Sequence, residues 1–283
     1  MIRKIPWWLK IVIKIIFSRL PIRYSFWQSI GLFRHGKMDN TDYSIRVFKE
    51  HLKKSNIKSI KNKVILEIGP GDSIATAVIS YAYGASSFLV DNGYFAKSNI
   101  IDYIQLKDAL ISESLNPPNL AENDDIDLIL KKSNSEYLTK GLSSIKKIPS
   151  NSVDLIFSQA VMEHIRKKDF EAMNSELYRV LKKDGVISHQ IDLRDHLGGG
   201  LNNLRFSDSL WESNFFVKSG FYTNRISFDK MISIFENLSF KYEILNVQKW
   251  KLLPIKKYKI DKKYRNQDEE NLRVKVFDIL LRK

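Results

Sequence analysis

The decapeptide VILEIGPGDS, residues 64–73, constrains the fold of this chain more than any other stretch. A short continuous apolar run ends in a turn where Gly69 and Gly71 flank a proline, which predicts a buried strand followed by a tight turn. Residues 73–85 (SIATAVISYAYGA) then predict a helix that ends at Gly84. A strand, a glycine turn and a helix in this order are typical of a crossover unit in a parallel sheet.

Strands and helices continue to alternate through the rest of the chain. This pattern predicts an α/β fold with a mostly parallel sheet that helices cover on both faces. Ligands of such sheets bind at the carboxyl ends of the strands, so the residues that follow each strand are the functional candidates. The predicted helices span residues 41–55, 99–112, 167–184 and 227–238, and the further strands span residues 86–92, 152–161, 186–192, 241–247 and 274–283.

The glycine turn lacks the features that bind a pyrophosphate. Dinucleotide-binding turns have the pattern G-x-G-x-x-G and aim backbone N–H groups at the phosphates. Here Ile74 occupies the third glycine position, Pro70 has no N–H to donate, and Asp72 places a negative charge beside the turn. The residues therefore favour a ligand without phosphate, and a purely structural turn is the alternative.

Two carboxylates near the turn indicate what such a ligand carries. Glu67 lies at the end of the first strand and suits a cationic group, and Asp91 ends the second strand. Asp91 lies 20 residues after Gly71, which is the spacing of carboxylates that accept hydrogen bonds from ribose hydroxyls. A nucleoside with a ribose, a cationic amino-acid tail and no phosphate is S-adenosylmethionine.

From about Val64 to its C-terminus the chain resembles the class I S-adenosylmethionine-dependent methyltransferases, in particular their type 11-like branch. The motifs that carry the resemblance are LEIGPGDS, FLVDN and IPSNSVDLIFSQAVMEHI. The resemblance implies a Rossmann-like sheet with an antiparallel closing strand, and S-adenosylmethionine as cofactor. The cofactor-binding residues that it implies are Glu67, Gly69, Gly71, Asp91, Asn92, Ser158 and Gln159, with Glu163 and His164 at the rim of the site. The acidic residue that often meets adenine after the third strand is not evident in TKGLSSI, residues 139–145.

The segment SHQIDLRDHLGGG, residues 188–200, holds the catalytic candidates. Methyl transfer to a hydroxyl needs an aligned nucleophile and a base for its proton. The candidates are His196, Asp192 and His189, of which His196 lies past the strand, where an acceptor can reach it. His189 shares a strand face with Ile187 and Ile191, so a buried structural role is the alternative for it. Catalysis by positioning alone, without a base, is also open.

The polar loop of residues 201–227 is a candidate acceptor site. Arg205 has the chemistry to bind a phosphate, and Trp211 has the chemistry to stack on a sugar ring. The alternative is a loop held by its own hydrogen bonds, with Trp211 as a core anchor. The long connection of residues 93–150 is predicted as an insertion beside the site, where a substrate lid would fit.

The first 38 residues contain eight basic residues and no acidic one, and so supply 8 of the net charge of +14. Residues 5–21 predict a helix bounded by prolines, with one narrow polar stripe formed by Lys10, Lys14 and Ser18. Lysines in its middle disfavour a transmembrane span, and it lacks the cleavage site of a signal peptide. Two placements remain open: the helix lies in an anionic membrane interface through residues 5–20, or it packs on the domain with its lysines facing water.

The sequence therefore predicts a basic N-terminal extension, residues 1–40, and one methyltransferase domain, residues 41–283. The absence of cysteine excludes disulfides, thiolate metal sites and cysteine nucleophiles, and five histidines leave little room for a histidine metal cluster. We expect a cytoplasmic enzyme that methylates an oxygen of a small-molecule or glycan acceptor. The enzyme is peripheral on the cytoplasmic face of the membrane in the first of the two placements of residues 5–20.

Parts of the N-terminal tip and of residues 188–212 resemble bacterial methyltransferases associated with surface-polysaccharide synthesis. One rival hypothesis is an RNA methyltransferase, which the net charge favours although no RNA-binding module is recognisable. The other is a non-enzymatic scaffold with the same fold. The retained Glu67, Gly69, Gly71 and Asp91 argue against a scaffold.

Overall fold

One mixed sheet of seven strands organises the described residues, which are 6–17, 19, 36–97 and 99–283 of the computed structural model. The strands are β1 Val64–Ile68, β2 Ser86–Val90, β3 Ser135–Leu138, β4 Val153–Gln159, β5 Leu181–Asp192, β6 Lys241–Lys249 and β7 Val274–Arg282. Their order across the sheet is β3-β2-β1-β4-β5-β7-β6. β7 runs antiparallel to β5 and β6, and the other pairs are parallel. The predicted fold, a mostly parallel sheet with an antiparallel closing strand, is confirmed.

Helices cover both faces of the sheet. The longer helices are α1 Trp7–Phe17, α2 Thr41–Ser55, α3 Ala75–Ala82, α4 Ile100–Ser112, α5 Ile126–Lys132, α7 Phe170–Val180 and α10 Phe228–Asn237. Single-turn helices are α6 Leu142–Ile145, α8 Asp208–Trp211, α9 Asn214–Val217, α11 Lys262–Arg265 and α12 Glu269–Leu272. Successive residues of β1 enter separate cores, because side chains alternate along a strand. Ile65 packs with α2 to α5 on one face, and Leu66 packs with α7 and α10 on the other.

β5 begins earlier than the sequence pattern predicts. The helix predicted over residues 167–184 ends at Val180, and Leu181 already has an extended backbone conformation (φ −62°, ψ 135°). Leu181 pairs with Val153 of β4, so sheet hydrogen bonding replaces further helical turns. The helical composition of residues 181–184 is overridden by this tertiary pairing.

Residues 93–150 differ from the predicted insertion because they form part of the sheet. They supply α4, α5 and the edge strand β3, which pairs in parallel with β2. Residues 93–134 therefore belong to the crossover from β2 to the neighbouring β3, and residues 139–150 belong to the connection from β3 to β4. The sequence of β3, SEYL, is too short and too polar to be recognised as a strand from its pattern.

α1 packs on the domain through one of its faces. Ile11 is buried in an apolar cluster that includes Leu197 and Trp211. Lys14 also turns towards the domain, where its ammonium donates to the carbonyl of Gly220 at 3.3 Å, and burial lowers its pKa. These contacts agree with the predicted placement in which the helix packs on the domain. That placement also expects the lysines to face water, and Lys14 does not.

The outward face of α1 is apolar. Trp8, Val12 and Ile16 lie one turn apart and are 55%, 45% and 54% exposed. No helix in the described part of the chain combines the length and the apolar character needed to cross a membrane. The predictions for Ser18 and for residues 20–35 lie outside the described residues.

Candidate active site

The glycine turn joins the ends of β1, β2 and β4. Gly69 and Gly71 both have positive φ angles (71° and 65°), which glycine adopts without strain. A Cβ atom on Gly69 would lie 2.5 Å from a methyl carbon of Val161, in the turn after β4. The N–H of Gly71 donates to the carboxylate of Asp91 at 3.1 Å. Gly69 thus allows close packing against Val161, a reason for this glycine that the sequence does not reveal.

Glu67 is a buried carboxylate beside this turn. It is 2% exposed, and its Oε2 has no hydrogen-bond partner among the described residues. Burial raises the pKa of Glu67 to about 8, and the charge of Asp91 adds to the effect. A buried acceptor without a partner is costly unless a ligand supplies a donor. Glu67 therefore fits the cationic amino-acid end of S-adenosylmethionine.

Asp91 is positioned by the backbone around it. Its carboxylate accepts hydrogen bonds from the N–H groups of Gly71 and Asn92, and its carbonyl accepts from the N–H of Gly141. Gly141 lies in residues 139–145, which follow β3, and a Cβ on it would lie 3.7 Å from Asn92. The ends of β2 and β3 thus meet at Asp91 and Asn92, where a ribose and its base would lie.

Ser158 and His189 lie beneath the site, in the core. Both are fully buried, and the Ser158 hydroxyl and His189 Nδ1 are 2.7 Å apart. Burial lowers the pKa of His189 to about 3, so the ring is neutral. Gln159 is half-buried, and its side chain contacts His51 and Gln190. The position of His189 matches the structural alternative, and no acceptor reaches it without the strand moving.

His164 and His196 form a stacked pair at the rim of the site. Their ring centroids are 4.7 Å apart, and their Nε2 atoms face each other at 3.0 Å. Nδ1 of His164 lies 2.9 Å from the carbonyl oxygen of Tyr222. A carbonyl only accepts, so His164 carries its proton on Nδ1, and its Nε2 accepts from Nε2–H of His196. The lone pair of neutral His196 is therefore on Nδ1.

The surroundings of His196 keep its ring neutral. Loss of hydration is the main cause that lowers its pKa to about 3, although the residue is exposed at the surface. A proton on either imidazole of the pair disfavours a proton on the other, and the charge of Lys14 adds to the effect. Asp192, by contrast, is engaged by Arg194, whose Nε and terminal nitrogen lie 2.8 and 2.5 Å from its two oxygens. Of the three candidate bases, His196 is the one with both a lone pair and access.

Asp195 shapes the glycine-rich loop that presents His196. Its buried carboxylate accepts hydrogen bonds from four backbone N–H groups, those of Leu197, Gly198, Gly199 and Asn202. A carboxylate held by so many backbone donors fixes the conformation of the loop. The triple glycine is thus part of a held loop, and its N-terminal side carries the candidate base.

Arg205 and Trp211 have structural partners. Trp211 is fully buried, and its indole N–H donates to the carbonyl of Thr223 at 2.7 Å, which agrees with the core-anchor alternative. Arg205 lies 4.9 Å from the ring centroid of Trp7 and donates to the side chain of Asn202. Arg205 therefore links α1 to the loop after β5.

A pocket opens beside the turn that carries Glu163. Its empty volume is about 420 Å³, which includes space open to solvent at its mouth. The polar residues lining it include Glu163, Asn203, Thr223, Asn224 and Arg225. Of these residues, Glu163 belongs to a sequence motif, whereas the others are dispersed in the polar loop of residues 201–227, which contains no motif. The structure distinguishes Arg225 by a positive φ of 56°, a conformation that is uncommon for arginine.

Residues 120–188 match the methyltransferase domain family. The matched segment contains α5, β3, α6, β4, α7 and the first part of β5, and so includes Ser158, Gln159, Glu163 and His164. It does not include Glu67 or Asp91. The match agrees with the methyltransferase activity and the S-adenosylmethionine cofactor predicted from the sequence. No curated protein sequence matches the chain at a significant level.

Solved structures with a similar chain trace include methyltransferases from several organisms. The S-adenosylmethionine-dependent methyltransferase of Archaeoglobus fulgidus is 15% identical, with a TM-score of 0.47 over 84% of this chain and 94% of that chain. That of Methanosarcina mazei is 14% identical, with a TM-score of 0.48 over 84% and 96%. The Haemonchus contortus phosphoethanolamine N-methyltransferase 2, in complex with S-adenosyl-L-methionine, is 14% identical, with a TM-score of 0.45 over 83% and 51%. At these values the names of those proteins do not bear on the acceptor of this chain.

Proposed function

We propose that this protein is an S-adenosylmethionine-dependent methyltransferase that methylates a hydroxyl of a small-molecule or saccharide acceptor. The observation that carries the proposal is the pair of carboxylates around the glycine turn. Glu67, with an unpartnered buried oxygen, ends β1, and Asp91 ends the neighbouring β2. Gly71 donates to Asp91, and both carboxylates lie at the carboxyl edge of the sheet, where ligands of such sheets bind.

Each residue of the site has one task in this proposal. Glu67 binds the ammonium and Asp91 the ribose hydroxyls of the cofactor, whose sulfonium supplies an activated methyl group. Nδ1 of His196 would take the proton of the acceptor hydroxyl that receives the methyl group, and cleavage of the sulfur–methyl bond would release S-adenosylhomocysteine as the neutral product. His164 holds His196 in the required tautomer through the Nε2 contact. Ser158, His189 and Gln159 support this arrangement from below.

Replacement of Asp91 by alanine tests the assignment of the cofactor site. S-adenosylhomocysteine should bind the wild type in calorimetry, and Asp91→Ala should weaken binding by at least about 10–100-fold, because hydrogen bonds to a charged group are lost. Asp108→Ala, on exposed α4, is the matched control and should bind as the wild type does. No binding by the folded wild type would contradict the proposal. Labelled methyl transfer into separate saccharide, lipid and RNA fractions identifies the acceptor, and transfer into RNA alone would support the rival.

We further propose that α1 associates with an anionic membrane surface. Its packed face is fixed to the domain, so the apolar stripe of Trp8, Val12 and Ile16 remains exposed to solvent. The first 38 residues are basic without any acid, which favours anionic lipid. Phe215, 49% exposed, lies under the guanidinium of Arg19 and adds an aromatic and a basic group close to α1.

Vesicle binding tests the role of α1. Phosphatidylglycerol-containing vesicles should sediment the wild type, and combined Trp8→Ser and Ile16→Ser should reduce binding by at least about 10-fold, because apolar burial is lost. Ile101→Ser is the matched control, since Ile101 is 59% exposed on α4. Equal sedimentation of the double variant and the wild type would refute this placement, as would equal binding to vesicles without anionic lipid.

A further inference from the structure

The pocket beside Glu163 contains an unusual set of buried polar atoms that have no hydrogen-bond partner among the residues that the structure describes. They are both carboxylate oxygens of Glu163, Oδ1 of Asn203 and Nε of Arg225. The backbone N–H groups of Glu163 itself and of Asp192 approach the Glu163 carboxyl, without the geometry of a full hydrogen bond. Glu163 is 1%, Asn203 2% and Arg225 6% exposed. Buried polar atoms are normally satisfied, because leaving them unpaired costs about 1–3 kcal/mol each. Several such atoms on the lining of one pocket indicate that a ligand completes them.

The backbone around these atoms is held in place. The side chain of Asn224 donates to the carbonyls of Met162 and Ile165, and its N–H donates to the carbonyl of Glu163. This clamps the turn after β4 to residues 223–227. The amide of Asn203 donates to the hydroxyl of Thr223 at 2.9 Å, which leaves its Oδ1 as the free end. The unpartnered atoms are therefore preorganised and not a consequence of a loose loop.

Arg225 is fixed from the opposite side. Its terminal nitrogens donate to the carbonyls of Asn203 and Phe206 and to the carboxylate of Asp208. The guanidinium charge is thus balanced by Asp208, and Nε is the group left to donate. A left-handed backbone at a residue with a fully buried side chain is strained, and such strain concentrates at ligand sites.

Glu163 connects the pocket to the glycine turn. Val161 packs on Gly69, and Glu163 follows Val161 by two residues in the same turn. On its other side Glu163 lies 4.0 Å from Nε2 of His164, which contacts His196. Glu163 therefore links the lining of the pocket to the turn that packs on Gly69 and, through His164, to the histidine pair.

We propose that this pocket binds an uncharged, hydroxyl-rich part of the acceptor, such as a sugar ring, with Glu163 and Asn203 accepting hydrogen bonds and Arg225 donating one. This inference rests on the proposed methyltransferase function and names its acceptor subsite. Hydroxyls both donate and accept, so they satisfy this mixed set, whereas an ammonium would leave Arg225 Nε unpaired. The walls contributed by Leu193, Leu201, Leu204, Ile226 and Leu272 suit the C–H face of a ring.

The electrostatics of the pocket agree with a neutral ligand. Burial raises the pKa of Glu163 well above its ordinary value, and the nearby charge of Asp192 acts in the same direction. A protonated Glu163 offers a donor as well as an acceptor to a hydroxyl. An anionic ligand would meet Asp192 and Asp208 near the pocket, and a cationic one would meet the buried Arg225.

Ligand-observed NMR with S-adenosylhomocysteine present tests the subsite. The probes are the methyl glycosides of glucose, mannose and rhamnose, and myo-inositol, with phosphoethanolamine as a charged comparison. We expect saturable binding of at least one hydroxyl-rich probe, about 10-fold weaker in Glu163→Ala and partly restored in Glu163→Gln, as expected when hydrogen bonds to a buried polar group are lost. Glu171→Ala, on the exposed side of α7, should bind as the wild type does.

Contacts between the bound probe and the methyl groups of Leu201 and Leu272 locate it in the wild type without any substitution. The inference is overturned if none of the four hydroxyl-rich probes binds, if phosphoethanolamine alone binds, or if Glu163→Ala binds the probes equally well. In each of these cases intact binding of S-adenosylhomocysteine leaves the proposed function standing. Loss of that binding in the wild type would instead overturn the proposed function.

Discussion

Binding of S-adenosylhomocysteine at pH 7 should release about one proton per molecule, and the variant Glu67→Gln should release none. Burial raises the pKa of Glu67 to about 8, so the free protein holds a proton on this carboxyl at pH 7. The ammonium of the ligand favours the carboxylate and lowers that pKa on binding, which expels the proton. Calorimetry in two buffers that differ in ionisation enthalpy measures the number of protons released.

The same variant should be more stable than the wild type when no ligand is present. Because the pKa of Glu67 is raised from 4.5 to about 8, ionisation opposes folding above pH 4.5, and the cost grows until pH 8. Glu67→Gln should therefore gain little at pH 4.5 and about 3–5 kcal/mol of unfolding free energy at pH 8. Denaturant titrations at the two pH values measure the difference. If Glu67→Gln still released a proton on binding, the titrating group would be a different residue. If the variant and the wild type differed in unfolding free energy by the same amount at pH 4.5 and pH 8, the raised pKa of Glu67 would be contradicted.

Much of the fold follows from local patterns in the sequence. α2 begins and ends at the residues predicted for it, Thr41 and Ser55, because Asn40 caps its first turn and Asn56 takes the left-handed conformation after its last. The central strands are recognisable because they are short apolar runs bounded by turns. β3 and the start of β5 escape such patterns because neighbouring strands, and not local propensity, impose their conformation.

The sequence predicts the residues at the proposed cofactor end of the site better than those at the proposed acceptor end. Glu67, Gly71 and Asp91 lie in two contiguous motifs whose spacing reflects the geometry of adjacent parallel strands. The proposed acceptor pocket combines Glu163 with Asn203 and Arg225, which come together only through loop contacts. Trp211 shows the converse, since a residue type common in sugar sites serves the core here. Dispersed polar residues can be assigned to a site only when their burial and their missing hydrogen-bond partners are known.

Replacement of His196 by alanine should lower the rate constant of methyl transfer by about 100–10,000-fold if this residue is the base. The affinity for S-adenosylhomocysteine should not change, because His196 lies at the acceptor side of the proposed site. Its lowered pKa keeps the ring neutral, so the acid limb of the wild-type pH–rate profile should lie well below 6.5. Initial rates with labelled cofactor, measured on the acceptor fraction that takes up label, give both quantities.

Two substitutions of His164 distinguish a catalytic role of the His164–His196 contact from a purely structural one. The oxygen of glutamine replaces the accepting Nε2, so His164→Gln should retain much of the rate, whereas His164→Leu removes the acceptor and frees the tautomer of His196. Both variants lose the bond to the Tyr222 carbonyl, so any difference between them reports the contact with His196. Equal rates in the two variants would exclude the tautomer lock. An unchanged rate in His196→Ala would leave catalysis to alignment of the acceptor alone.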